Sequence, residues 1–369
     1  MAKKMMSSYP FDSITINGRE IKLELILGDL ATPQSRFEAA TFLFVQKWFS
    51  SANTFEQTTS GSTGVPKSIV ITRLQMIASA QLTAEALQLK AGETSFLCLD
   101  PAYIAGKMML VRSFVVGMKI VAVNPSANPF HDLPRNVPVD LTAIVPMQLN
   151  EVIQSDQAYR LDSTKNILVG GAALNEEAMQ KKLSTLSGRV YATYGMTETV
   201  SHIALQALNG PFASEYFTVL PGIKISADER GCLEINAPHL GEKILTNDLV
   251  EIKNPSHFKW LGRADNIINT GGVKVIPEKI EAEIHRLFEQ HEVKNKFLIS
   301  GIPDIMLGSK IIMLIDGELG GFTLESLKSH LKEILPTYEI PKEIYTNINF
   351  VFTENGKINR TETTQQIGN

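Results

Sequence analysis

Six hydroxyl side chains, two glycines and a lysine fall within the eleven positions from Thr58 to Ser68, in the run TTSGSTGVPKS. Hydroxyl and backbone N–H donors gathered around one ammonium group can hold a polyphosphate. Glycine lets the main chain approach the anion and lysine supplies charge. A P-loop NTPase would need glycine before the lysine and a helix behind it. Here Pro66 precedes Lys67 and the apolar, strand-like SIVIT follows, which argues against that class. A second chemical position is Glu198, which closes the run YGMTE after a β-rich stretch. A lone hard carboxylate at a strand end suits Mg²⁺, which takes few protein ligands beside phosphates and water. Arg112 is a cation inside an otherwise apolar segment, PAYIAGKMMLVRS, and so is a candidate counter-ion for a carboxylate ligand. Lys357, in NGKINR, reads by itself as a lysine in an exposed turn. GRAD followed by Gly271-Gly272 reads by itself as a linker and a turn.

These residues need a frame. Between Glu93 and Gly195 the apolar runs SFLCLD, KIVAVN, LTAIVP, NILVGG and RVYATYG alternate with segments of helical spacing. That alternation predicts an α/β fold with a mostly parallel sheet, and ligands are expected at the carboxyl ends of its strands. From about Phe217 shorter runs divided by Gly, Asn, Asp and Pro predict a small antiparallel β unit. Beyond Gly262 the chain reads as a separate small α+β domain, dividing it into residues 1–262 and 263–369. In that domain Pro277 opens a helix with Ile280, Ile284, Leu287 and Phe288 on one face. A second helix has Thr323 as N-cap and Leu324, Leu327, Leu331 and Leu335 along its stripe. The tail after Arg360 reads as polar and frayed.

Composition excludes several classes. With 35 basic and 39 acidic side chains the net charge is −4, so no broad basic footprint for nucleic acid or anionic lipid is present. The two cysteines, Cys98 and Cys232, are isolated in apolar surroundings, which argues against a disulfide framework or a thiolate metal site and fits a reducing cytoplasm. No secretory signal is expected from MAKKMMSSYPFDS. The most apolar stretch, Leu110 to Val123, is broken by Arg112 and Lys119 and is too short to span a bilayer.

Five segments in order, TTSGSTGVPKS, YGMTE, LTND, GRADNIINTGGVKVIPEKIE and NGKINR, resemble the motifs of the adenylate-forming superfamily of acyl-CoA synthetases, luciferases and peptide-synthetase adenylation domains. The resemblance implies a large N-terminal adenylation domain and a mobile C-terminal lid, with ATP, Mg²⁺ and CoA as cofactors. It assigns Thr59, Ser60, Gly61, Ser62, Thr63, Gly64 and Lys67 to the phosphates, and Gly171, Ala172, Tyr194, Gly195 and Met196 to the nucleotide. Thr197 and Glu198 take catalytic roles, Glu198 as the metal ligand. Asp248 goes to the ribose and Arg263 to the nucleotide. Asp265 becomes the hinge, Gly271-Gly272 the border of the pantetheine channel, and Lys357 the adenylation lysine. Asn247 stands where the family has glycine, a change tolerated because Asn also accepts unusual backbone angles. The chain reaches its phosphate loop after only 57 residues, which implies a compact or shortened N-terminal region.

The segment from Pro101 to Ser113 matches the family's acyl-pocket region, and with Arg112 it is similar to the o-succinylbenzoate-CoA ligases of menaquinone synthesis. Tyr103, Arg112 and Gly170 are then the substrate residues. Ile104 replaces the histidine that commonly follows the aromatic residue. The resemblance supplies nucleophiles from the substrates, so no catalytic Ser, Cys or His is expected, and none of the seven histidines sits in a recognisable relay. Other expectations stay open: a ligase for another carboxylic acid, an enzyme loading a carrier protein, or a nucleotide-binding relative without activity. A homodimer is the family's habit.

Overall fold

The computed structural model describes residues 9–58, 68–170, 182–352 and 358–367. By packing the chain divides into two compact units. The first is drawn from Met1–Leu174, Gln180–Lys224 and Ile235–Ile244, and the second contains Ile225–Glu234 and Leu245–Asn369. The strands just upstream of Gly262 therefore pack with the C-terminal part of the chain. That is a boundary of packing, whereas residues 263–369 were expected as a unit of movement.

In the first unit β1 (Ser13–Ile16) and β2 (Arg19–Lys22) form a hairpin, followed by α1 (Leu23–Leu27) and α2 (Arg36–Phe49). The segment before the phosphate loop and the SIVIT run after it are β3 (Thr54–Thr58) and β4 (Ser68–Thr72), an antiparallel pair. Then come α3 (Arg73–Leu87), β5 (Thr94–Leu97), α4 (Ile104–Val116), β6 (Lys119–Ala122), β7 (Val139–Ile144), α5 (Pro146–Gln154), α6 (Tyr159–Ser163), β8 (Thr164–Val169), β9 (Arg189–Gly195), β10 (His202–Ala207) and β11 (Phe217–Val219). Strands β6, β5, β7, β8 and β9 lie side by side, every adjacent pair parallel, as the alternating apolar runs predict. Strand β10 returns antiparallel to β9 and turns the sheet at the YGMTE segment.

Helix α4 is buried from Met108 to Phe114, including Arg112. Its apolar run leaves no polar face to present to water, and Gly117 ends it in a left-handed conformation at φ +80°. Helix α3 begins with a capping box between Thr72 and Gln75, and buries Ser79 and Thr83.

In the second unit β12 (Lys224–Ala227), β13 (Cys232–Asn236), β14 (Ile244–Asn254) and β15 (His257–Arg263) lie in that order. β16 (Ile268–Thr270), β17 (Val273–Val275), β18 (Phe297–Asp304), β19 (Gly308–Ile315) and β20 (Glu343–Tyr345) build a second sheet, with α7 (Pro277–Gln290), α8 (Leu324–Ile334) and α9 (Arg360–Gln365) around it. The four expected positions on α7 are all buried. On α8 Leu327, Leu331 and the following Leu335 join the core, but Leu324, the first residue of the helix, is 43% exposed. The tail is not frayed. Asn359 accepts a hydrogen bond from the Glu362 N–H to cap α9, Thr363 is fully buried, and Arg360 is tied into the core.

Candidate functional site

In the first unit the site is made where β9 turns into β10. Gly195 ends β9, residues 197–199 form one tight helical turn, and Ser201 and His202 start the return. Thr199 holds the turn: its hydroxyl accepts from the Met196 N–H (3.0 Å) and lies 2.7 Å from the Ser201 carbonyl. Val200 follows at φ +70°, ψ −47°, near a γ-turn geometry that is rare for a β-branched residue. Holding it there costs on the order of 1–3 kcal/mol, which its burial and the Thr199 bonds offset.

Glycine at 195 is a packing requirement. A Cβ there would lie 2.4 Å from both the His202 Cα and the Ser201 carbonyl oxygen. Gly195→Ala is expected to part β9 from β10, displacing the residues that meet Arg112, and to cost about 1–3 kcal/mol in urea denaturation. An unchanged urea midpoint would refute this.

Thr197 is half-buried and Glu198 is exposed, and among the described residues the Glu198 carboxylate has no ion-pair or hydrogen-bond partner. An open, hard, anionic oxygen fits Mg²⁺ shared with phosphates. The absence of any cluster of three metal-ligating side chains among the described residues is compatible with that ion, which keeps most of its water. Tyr194 packs edge-on against Phe217 at 5.8 Å. Gly170, at the end of β8, leaves room for Thr193, whose hydroxyl would lie 2.7 Å from a Cβ.

Arg112 lies beneath this turn, 2% exposed. It is not a snorkelling side chain, and among the described residues it has no carboxylate partner. Its Nη2 donates to Ser201 Oγ (2.6 Å) and His202 Nδ1 (3.4 Å); among the described residues its Nη1 meets only the Met109 sulfur (3.8 Å) and its buried Nε has no acceptor. Burial without a carboxylate pushes its pKa down to about 10. Tyr103 is at the other end of the helix, 59% exposed; nine residues at about 1.5 Å each put it roughly 13 Å along the axis from Arg112. Tyr103 and Arg112, two of the three expected substrate residues, therefore stand at opposite ends of α4.

His202, which sequence reasoning passed over, is 8% exposed and bonded through Nε2 to Thr83 Oγ1 at 3.0 Å. Burial, and then the Arg112 charge, hold its pKa well below the usual histidine range. The ring therefore stays neutral when folded but titrates normally when unfolded. Below about pH 6.5 the unfolded chain binds the extra proton, so stability is full above that pH and falls as pH drops through it. The expected result is a melting temperature that declines more steeply between pH 6.5 and 5.5 in the wild type than in His202→Asn. The signal that could have flagged Ser201 and His202 is their place just after a strand-end motif.

In the second unit LTND and GRAD are brought together by register: Asp248 on β14 stands opposite Arg263 on β15. Arg263 bridges Asp248 (3.3 Å) and Asp265 (2.7 Å), and the Trp260 indole donates to Asp248 (3.3 Å). Asn247 is not at positive φ, so its backbone does not need glycine's freedom. Its side chain instead donates to Asp265 (3.1 Å) and accepts from Arg230 (3.1 Å), which ties it to the expected hinge residue. Gly271 and Gly272, at φ +57° and +81°, form the two-residue turn between β16 and β17, where positive φ at both positions favours glycine.

Arg360, three residues past Lys357, donates to both Glu281 oxygens (2.8 and 3.1 Å) on α7 and to the Ile299 carbonyl. Burial alone would lower its pKa, but the Glu281 and Glu278 charges raise it above its ordinary value. Burial likewise raises Glu278, against the Asn266 hydrogen bond and the Arg360 charge. Arg360→Met strands these carboxylates and is expected to cost about 3 kcal/mol. A loss below about 0.5 kcal/mol on urea denaturation would remove the cluster from the core of the second unit. Thr59, Ser60, Gly61, Ser62, Thr63, Gly64, Lys67, Gly171, Ala172 and Lys357 lie outside the described residues.

Known proteins resemble this chain in sequence and fold. A structure from Dyadobacter fermentans, an acyl-CoA synthetase (AMP-forming)/AMP-acid ligase II-like protein, is 40% identical, with 92% of this chain and 97% of that one covered and a TM-score of 0.62. A probable 2-succinylbenzoate–CoA ligase of Mycobacterium tuberculosis is 28% identical over 308 residues, 78% of each chain. The o-succinylbenzoate coenzyme A synthetase of Bacillus subtilis, solved with ATP and a magnesium ion, shares the fold at 21% identity, with a TM-score of 0.71 over 84% of this chain and 69% of that one. The profile described as AMP-binding enzyme matches residues 50–234, half of the chain, and the chain belongs to that family.

Proposed function

We propose that this protein is an ATP-dependent acid–CoA ligase that works through an acyl-adenylate, and that its acid is 2-succinylbenzoate, a step of menaquinone synthesis. The carrying observation is Arg112, a buried guanidinium with no carboxylate partner among the described residues. An acid with two carboxylates supplies the missing charge with one and reacts through the other.

In the first half-reaction the reacting carboxylate attacks the α-phosphorus of ATP and pyrophosphate leaves. In the second the CoA thiol attacks the acyl carbon and AMP leaves. The Thr59–Lys67 loop holds the phosphates, Gly171, Ala172, Tyr194, Gly195 and Met196 flank the nucleotide, and Asp248 and Arg263 hold its ribose side. Thr197 and Glu198 stand at the acyl carboxylate and the phosphates. Glu198 would hold Mg²⁺, which when bound neutralises phosphate charge. Lys357 reaches the α-phosphate, where negative charge gathers in the transition state. Residues 263–369 act as a lid that turns about Asp265, presenting Lys357 first and the Gly271-Gly272 turn to the pantetheine arm second. A cytoplasmic homodimer completes the reading.

The test is pyrophosphate release with 2-succinylbenzoate, with and without CoA. Release that CoA accelerates into thioester turnover supports the reading. Activity only with another acid discards the substrate and keeps the reaction, and silence with every acid tried leaves a nucleotide-binding relative.

A further inference from the structure

Arg112 serves its ligand only if its planar fork is held in one place. Arginine carries several rotamers and no acceptor atom, so an acceptor fixed in the wall must hold it. Two are present. Ser201 Oγ takes one Nη2 hydrogen at 2.6 Å, and it belongs to the half-buried turn described above. The other is the imidazole of His202, whose Nδ1 lies 3.4 Å from Nη2.

The direction of the hydrogen bonds around this ring is fixed by chemistry. A guanidinium only donates, so Nδ1 must present its lone pair. A neutral ring then carries its proton on Nε2, which points to Thr83 Oγ1 at 3.0 Å, and the Thr83 hydroxyl donates its own hydrogen bond to the Ser79 carbonyl at 3.1 Å. The donors run one way, from Arg112 to His202 to Thr83 to the backbone of α3. Every member except the terminal carbonyl is a buried side chain, and the chain ends in a helix capped at its other end. A protonated ring would turn a second N–H toward Arg112 and expel it. The arrangement also occupies Nη2 on the protein side and, among the described residues, leaves Nε without an acceptor and Nη1 facing only a thioether.

We propose that His202 is the positioning residue of the acyl pocket: held by Thr83 as the neutral Nε2–H tautomer, it fixes the Arg112 guanidinium and thereby sets the preference for an acid with a second carboxylate. The inference rests on Arg112 receiving that carboxylate. It adds a residue that touches neither substrate nor nucleotide and acts through another side chain.

The test has two independent parts. The first is kinetic and compares 2-succinylbenzoate with its analogue in which the non-reacting carboxylate is a carboxamide, by pyrophosphate release. His202→Leu is expected to raise the KM of the diacid at least about tenfold more than that of the carboxamide, the effect of losing one hydrogen bond to a charged group, with kcat changing less than KM. His202→Asn, which keeps an acceptor near the Nδ1 position, is expected to recover most of the loss, and Thr83→Val to reproduce part of it. Equal effects on the two acids, or no rescue by Asn, would overturn the positioning role. The second part is ¹⁵N NMR of the histidine rings in the wild-type protein without substrate, with His202 assigned by its disappearance in His202→Asn. An Nε2–H tautomer that does not titrate between pH 5.5 and 8 is expected, and an Nδ1–H or protonated ring would overturn the proposal. Should the wild type activate a different acid, the substrate reading fails by the first assay while the ring signal still decides whether His202 holds Arg112.

Discussion

Arg112→Met is expected to raise the KM for 2-succinylbenzoate by about 100-fold or more while making the unliganded protein more stable. The two effects have one cause. A fully buried guanidinium whose pKa has fallen from its ordinary value to about 10 is disfavoured in its charged form by about 3 kcal/mol at neutral pH. Because the folded-state pKa lies below the unfolded one, this is a cost of folding that persists at all lower pH and is relieved only as pH rises above about 10 toward the ordinary arginine range. A substrate carboxylate removes the cost on binding. Methionine fills similar space without the charge, so the empty protein gains and the diacid loses its partner. Differential scanning calorimetry without substrate should show a melting temperature about 3 °C higher or more. A lower melting temperature with unchanged KM would place the charge in the fold's own support and refute the pocket assignment.

Lys357→Ala is expected to abolish acyl-adenylate formation, with a loss of at least about 100-fold in ATP–pyrophosphate exchange, the scale of removing one donor aimed at developing charge. Thioester formation from presynthesised acyl-adenylate should fall less than about threefold, because that step attacks the acyl carbon and forms no pentavalent phosphorus. Equal loss in both assays would refute the assigned role.

The parallel sheet was legible because the strands alternate with helices as continuous apolar runs, which only a sheet buried on both faces requires. α7 was legible because Ile280, Ile284, Leu287 and Phe288 repeat at helical spacing around a proline start. The tail was misread for a physical reason. The sequence TETTQ is polar, but its one buried residue, Thr363, spends its hydroxyl on the Val351 N–H, and Arg360 reaches carboxylates 79 positions away in the chain. Local pattern carries no record of so distant a partner.

The same limit applied in the candidate site. Asp248 and Arg263 were named from separate motifs, but their opposition across β14 and β15 is a matter of register. Asn247 was allowed for its backbone, and the structure uses its side chain instead. Arg112 was legible as a cation in an apolar segment, but its neighbours were not: Ser201 and His202 come from the start of β10, 89 and 90 positions later in the sequence.

In the proposed lid, the Arg360 cluster joins the two edges assigned to the two half-reactions. The helix it grips follows directly on the Gly271-Gly272 turn, and the arginine itself trails Lys357 by three residues. The lid thus resembles a lever with a tool at each end and one bolt through the middle. Selection can sharpen either tool by changing its tip, but anything that loosens the bolt slackens both. Substitutions around Glu278, Glu281 and Arg360 should therefore lower adenylation and thiolation by similar factors, whereas those at the tips separate the two rates.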